Sequence, residues 1–245
     1  MKIRVRFEKD GSMRFIGHLD IMRFFHKAFQ RAKTPIRFSE GFHPHPVMSF
    51  AAPLSVGLSS RGEYLDTEIT EEWGTERILE SLNGQMVEGI RVTGVCVLPE
   101  DERKKGNNAM ALVGLADSEV RLLIPRSDTD PPMEACAKEF LGSLEILVDR
   151  KTKHKEETAD IRPWIHSLCY DPERDLFTMR LSSGSAANLK PETVMEAFLR
   201  FCSMEDRIPR SSDGTVLREN WLSICRLDML TSDGISLGDL GEERP

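Results

Sequence analysis

Cysteine is scarce in this sequence, and the few residues there are stand apart. Cys96, Cys136, Cys169, Cys202 and Cys225 are odd in number and form no CxxC pair, which argues against a disulfide framework or a Cys-rich zinc site. No CxxxCxxC spacing occurs either. Long apolar runs are also missing, since none approaches the roughly 18–20 residues of a bilayer span. The opening stretch MKIRVRFEKDG alternates charge with apolar residues and is not the apolar core of a signal peptide. These absences set the expectation of a cytoplasmic chain with no membrane partner. The recurrent catalytic spacings are absent too. There is no P-loop, no glycine fingerprint after a strand, no nucleophile elbow and no HExxH.

What is present is a 245-residue chain, 40% hydrophobic and 30% charged. That suits one large globular domain or two of about 100–120 residues. The net charge of −7 hides a split. Residues 1–50 hold ten Lys/Arg against four Asp/Glu, and also His18, His26, His43 and His45. A basic, His-rich segment on an acidic body points to a localised surface for anionic ligands. An ordinary solvated basic face is the plain alternative.

Periodicity places the elements. Lys2, Arg4 and Arg6 alternate with Ile3, Val5 and Phe7, the period of a half-buried strand. Residues 18–33 read as a helix with the stripe Leu19, Met22, Phe25, Phe29 and Ala32, stopped by Pro35. Strand-like pieces follow around 36–38 and 47–51, then a strand at 63–70, a helix at 75–84 and a Val-rich strand at 90–98. The order is that of a split βαβ, ferredoxin-like domain. Residues 99–110 read as a linker. The order then recurs, with strands at 119–124, 144–150, 175–181 and 222–230 and helices at 132–141 and 191–202. The fold class predicted is α+β, two tandem ferredoxin-like (βαββαβ) halves. The domains run 1–98 and 111–230, with 231–245 a flexible tail. Met48, Trp73, Trp164 and Trp221 are expected to pack in cores.

In such a fold the helices cover one sheet face and leave the other open. With Ile3, Val5 and Phe7 facing the helices, Lys2, Arg4 and Arg6 would line the open face as a phosphate-tracking row. Lys27 and Arg31 extend the nucleic-acid candidates along the first helix, on the basic line that starts at Arg23. Gly17-His18-Leu19-Asp20 opens that helix, where free N–H groups favour an anion. His18 there suits general acid/base work or phosphate binding, or else simply caps the helix with Asp20. His43-Pro44-His45 is an HxH spacing that puts both imidazoles on one face of an extended strand, as a metal would need. Pro44 and Pro46 also suit a rigid loop. Ser39, Gly41 and Ser49 flank it as small donors. Downstream, Lys153-His154-Lys155 leads into Asp160 and Arg162. Arg162, held extended before Pro163, suits a clamp on a carboxylate or phosphate, or an internal ion pair that pins the loop.

The stretch GHLDIMRFFHKAFQRAKTPIRFSEGFHPHPVMSFAAPL, with PLSVG, EYLD, ADIRPWI and LKPETV downstream, resembles the radical SAM-linked family. That family occurs as a separate small protein or fused behind a radical SAM, cobalamin-binding-type domain. The resemblance covers most of the chain, with the linker and tail outside it. It implies a functional surface of His18, Asp20, Arg23, Ser39, Gly41, His43, Pro44, Asp160 and Arg162. It also implies partnership with a radical SAM protein supplied in trans, with no cofactor in this chain. The expected function is an accessory or substrate-recognition module, acting on RNA or a ribonucleoprotein. The alternatives are an RNA-processing or RNA-modifying enzyme that uses His18, His43 or His45, and a metal-dependent hydrolase built on His43 and His45.

Overall fold

The computed structural model describes residues 1–99, 108–151, 156–185, 187–212 and 216–244. The chain is mixed α/β, with mostly antiparallel strands and, among the described residues, five α-helices. Its contacts divide it into two compact units, Met1–Leu115 with Arg226–Pro245, and Ala116–Cys225.

The first unit runs β1 (Lys2–Lys9), α1 (His18–Arg31), β2 (Met48–Phe50), β3 (Ser59–Glu68), α2 (Thr75–Asn83), β4 (Ile90–Val97) and α3 (Ala109–Leu112). Its strands lie in the order β4-β1-β3, with β2 also on β3, and these neighbours are antiparallel. On one face Ile3, Val5 and Phe7 pack with Phe25 and Phe29 of α1 and Ile78 and Leu82 of α2. The helix stripe is rotated from its expected position. Ile21, Phe25, Ala28 and Phe29 are buried, whereas Leu19 is exposed.

The opposite face is not open. Tyr64 gathers there with Ala51, Ala109, Val113, Met229 and Leu237. The segment expected to fray supplies much of this cover, and the expectation of a flexible tail is corrected. Leu237 is fully buried, and residues 97 and 242 exchange backbone hydrogen bonds of 2.8 and 2.9 Å. Thr75 N–H donates to the Arg244 carbonyl at 2.9 Å. A Cβ on Gly241 would stand 2.6 Å from Cys96 Sγ, so only glycine lets the segment lie this close. Part of the expected linker, 100–107, is outside the described residues. Its end is α3, where Ala109 is buried.

The second unit runs β5 (Leu115–Leu122), α4 (Met133–Gly142), β6 (Leu147–Lys151), β7 (Glu156–Asp160), β8 (Ile165–Asp171), β9 (Leu176–Ser182) and α5 (Pro191–Phe201). The last strand, β10 (Leu222–Leu230), begins in this unit and ends in the first. The strands here lie as β5-β9-β8, with the start of β10 beside β5. The strand expected at 144–150 does not join that sheet. It is β6, which pairs with β7 in a separate hairpin, and β8 takes the ladder position beside β9. Trp221 is fully buried, the half-buried Met48 and Trp73 pack against the first unit's core, and Trp164 is half-buried.

The cover over the first unit's sheet has a measurable signature. Tyr64 Oη donates to Asp228 Oδ1 and pairs with Ser236 Oγ at 3.1 Å. Burial, then the Asp228 bond, pushes the Tyr64 phenol well above its ordinary range. Burial and Asp175 also push up Tyr170, the other of the two tyrosines. Above pH about 10 the unfolded chain loses phenolic protons first. Both phenols thus contribute stability that is intact below that pH and is lost as pH rises through their folded values. Phenolate absorbance of the native protein at pH about 10 should be far below that in denaturant. Half-ionised phenols in the native chain at that pH would contradict the buried Tyr64 network.

Candidate functional site

The strand that opens the chain carries two different sets of charges, one on each face. On the face covered by the segment at 231–244, Arg4 stands directly opposite Asp66 in the β1–β3 register. Arg4 Nε and Nη2 donate to the two Asp66 oxygens at 2.7 and 3.0 Å, and Nη1 donates to the Leu237 carbonyl at 2.9 Å. Asp66 Oδ2 also accepts from Ala109 N–H at 2.7 Å. The Arg4 side chain is 1% exposed. The expected row of three surface cations is therefore corrected. Arg4 is enclosed and neutralised, because its register partner is an acid and the face is covered. Lys2 remains exposed. Arg6 is half-exposed, 3.9 Å from Asp228.

On the helix side the surprise is Lys9, which continues the buried series Ile3, Val5, Phe7 and is 2% exposed. Its Nζ donates to the Ile16 carbonyl at 2.9 Å. Glu63, opposite Phe7 on β3, is 4% exposed and accepts from Arg226 Nη1 at 3.1 Å. Lys9, Glu63 and His18 line a recess with Phe7, Ile21, Phe50, Ala52 and Leu54. The recess offers about 20 Å³, room for a single water. His18 stands edge-on to Phe50, ring centroids 5.3 Å apart. Burial lowers the Lys9 ammonium's pKa, and Glu63 opposes that. A buried cation, a buried carboxylate and an imidazole around one small polar space is an arrangement able to move a proton. Sequence reading missed Lys9, Glu63 and Arg226. The signal was parity, since Lys9 shares the odd-numbered face of β1 and Glu63 that of Leu65 and Thr67.

The second feature is the hairpin at 37–47. Ser39 N–H bonds the His45 carbonyl and Val47 N–H the Arg37 carbonyl, at 2.8 and 2.9 Å. Ser39 Oγ accepts from His45 N–H at 3.1 Å and meets His45 Nδ1 at 2.9 Å. Gly41 turns the tip at φ +122°, a conformation that favours glycine. Pro44 stiffens the return. The tip carries Phe42, fully exposed, beside exposed His43 and His45. Phe38 packs edge-on to His26 of α1, centroids 6.3 Å apart, which fixes the hairpin against that helix. On α1 itself Arg23, Lys27 and Arg31 are exposed. Arg23 pairs with Asp20 at 3.2 Å, and Arg31 donates to the Gln85 carbonyl at 3.2 Å.

The HxH pair lies in this irregular tip rather than on a strand, so the reason for placing both imidazoles on one face does not hold. Among the described residues no group of three His, Cys, Asp or Glu side chains is gathered as metal ligands. In the second unit Asp160 and Arg162 do not clamp each other. Asp160 Oδ1 accepts from Ile146 N–H and Arg162 N–H at 2.8 and 2.9 Å. Arg162 Nε and Nη1 donate to the Leu141 and Ile165 carbonyls at 2.8 and 3.1 Å. Arg162 opens a 3-10 turn instead of an extended stretch. The two side chains tie off backbone ends around α4, β6 and β7, and two of the five Arg162 donors are spent on the chain's own carbonyls. Lys153, His154 and Lys155 lie outside the described residues.

Comparison with known protein families supplies a match. The family described as "Uncharacterized protein conserved in bacteria (DUF2344)" matches residues 2–191, which include every residue that lines the recess and the whole hairpin. The chain belongs to this family. No curated protein matches. The DUF2344 description names no radical SAM partner, so that link rests on the resemblance alone. No helix among the described residues is long and apolar enough to cross a membrane.

Proposed function

We propose that this DUF2344 chain is a recognition module that binds RNA, alone or in a ribonucleoprotein, for an enzyme carried by another polypeptide. One observation carries the reading. Phe42 stands fully exposed on a hairpin held by its own Ser39–His45 bonds, and the hairpin touches, through Phe38 and His26, the same helix α1 that carries the exposed Arg23, Lys27 and Arg31. Single-stranded RNA is bound by pairing aromatic platforms with a cationic track. A rigid, solvent-facing ring loses hydrophobic stabilisation unless something stacks on it. The resemblance to radical SAM-linked proteins makes such an enzyme the first partner to test. We also read both units as ferredoxin-like. The support is the strand order β4-β1-β3-β2 in the first unit, and β10-β5-β9-β8 with the β6–β7 hairpin inserted in the second.

Anisotropy titration with labelled single-stranded RNA tests the binding. Three phosphate contacts give a log–log salt slope of about −2, and Lys27→Ala lowers it by about 0.7. Phe42→Ala weakens binding by roughly 5- to 150-fold, the worth of one stacked base. A flat salt response, or no binding, removes RNA as the ligand. A pull-down that recovers no radical SAM protein removes the accessory role.

A second reading takes its support from the recess: an RNA-acting enzyme in which His18 exchanges the proton beside Lys9 and Glu63. RNA cleavage that survives His18→Ala, His43→Ala and His45→Ala rules it out.

A further inference from the structure

The recess beside α1 has a floor of opposite charges and a narrow mouth. Lys9 and Glu63, 2% and 4% exposed, lie at its base, and the half-buried His18 and Ala52 rim it. Between the pairs Phe7–Glu63 and Lys9–Ser60 the β1–β3 ladder shifts register, an irregularity of the kind that re-aims side chains. Both floor groups have hydrogen-bonding capacity to spare. Among the described residues Lys9 Nζ meets one acceptor, the Ile16 carbonyl, so two of its three N–H donors remain. Glu63 receives Arg226 Nη1 on both oxygens, at 3.1 and 3.2 Å, and each oxygen keeps a lone pair.

Size and charge together select what can enter. A space of about 20 Å³ admits one water-sized group, which excludes a base, a phosphate or a carboxylate. An ion of either sign meets a like charge on the floor. The group that suits is neutral, accepts from an ammonium and donates to a carboxylate. A hydroxyl does both.

We infer that this recess is a binding site for a ligand hydroxyl and, resting on the RNA reading above, for the ribose 2′-hydroxyl. Lys9 donates to the hydroxyl oxygen, and the hydroxyl donates to Glu63. This is the group by which a protein tells RNA from DNA. The recess thus supplies a sugar selectivity that Phe42 and the α1 cations lack, since base stacking and phosphate charge are common to both nucleic acids.

The test compares three labelled strands on the full chain by anisotropy: oligouridylate, its 2′-deoxy form and its 2′-fluoro form. Fluorine keeps the RNA-like sugar pucker but donates no hydrogen bond. A hydroxyl that takes over the bonds of a held water frees that water, which is worth up to about 30-fold. Oligouridylate should therefore bind roughly 5- to 30-fold tighter than either other strand. Lys9→Met should erase that preference. Ala52→Val narrows the mouth without altering either charge and should erase it too, which keeps the test decisive if Lys9→Met folds poorly. Equal binding of the ribose and deoxy strands, a fluoro strand that binds like ribose, or a preference that survives both replacements overturns the inference and leaves RNA binding standing. No binding of any strand removes the RNA reading and this inference together.

Discussion

Replacing Asp66 with alanine should lower the unfolding free energy by about 3–5 kcal/mol, the cost of stranding a buried guanidinium. Arg4 is 1% exposed and directs three of its donors at Asp66 and the Leu237 carbonyl. Without the carboxylate the charge has no water to turn to, and Ala109 N–H loses its acceptor as well. The double replacement Arg4→Met with Asp66→Leu should recover much of the loss, because removing both charges also removes the desolvation cost. Recovery stays partial, since the Leu237 carbonyl and Ala109 N–H are left unpaired. Urea unfolding followed by circular dichroism measures each variant. A single-variant loss under about 1 kcal/mol, the size of an exposed pair, would show that Arg4 reaches water and that the covered face opens readily.

The second large effect concerns the cover. Deleting residues 231–245 removes the fully buried Leu237, the Ser236 hydroxyl that bonds Asp228 at 2.7 Å, and the backbone pairing with Val97. Truncating one buried leucine to alanine already costs about 2–5 kcal/mol. The whole deletion should exceed about 5 kcal/mol, the lower end of total domain stability. The truncated protein should therefore lose native circular dichroism in the first unit and be cut by protease under conditions that spare the full chain. Leu237→Ala should reproduce the smaller part of that loss. A deletion variant that melts where the parent does would make the segment an appendage and restore an open sheet face.

These two expectations mark where reading the sequence stopped short. The elements with strong periodicity were legible. The alternation at 2–7, the spacing in 18–33 and the Val-rich run at 90–98 correspond to β1, α1 and β4. The failure was one of pairing. Lys2, Arg4 and Arg6 on one strand and Tyr64, Asp66 and Glu68 on another each show the same alternation. Read singly, the first looks like a surface row for phosphate. In antiparallel register Arg4 meets Asp66, so the middle cation of the row is enclosed while Lys2 stays exposed and Arg6 half-exposed. Register is a long-range property, and a single strand's pattern does not contain it. The segment at 231–244 was misread for a related reason. It is polar and glycine-rich, and its order comes from the surface it covers rather than from its own propensities.

At the candidate site the imidazole-bearing stretch was legible, but its arrangement was not. His18 was found by its place at the start of α1, whereas Lys9 and Glu63 were passed over as ordinary charges. β7 and β8 were missed because EETAD offers too little apolar content to read as a strand, and IHSLCYD follows a proline-containing turn. Asp160 and Arg162 stand out in the sequence as a pair spaced to share one side of an extended chain. Their donors and acceptors turned out to serve the chain's own backbone, a use that spacing alone does not distinguish from ligand binding.

The first unit is assembled from residues 1–115 and 226–245, with the second unit threaded between them. A ribosome delivers those pieces far apart in time. The contiguous stretch 116–225 is complete first, while Arg4 and Asp66 on the nascent chain still lack their lid. The early-made part must wait for residues 226–245 to emerge. Vectorial synthesis thus reverses the usual order in which the leading domain settles before the trailing one.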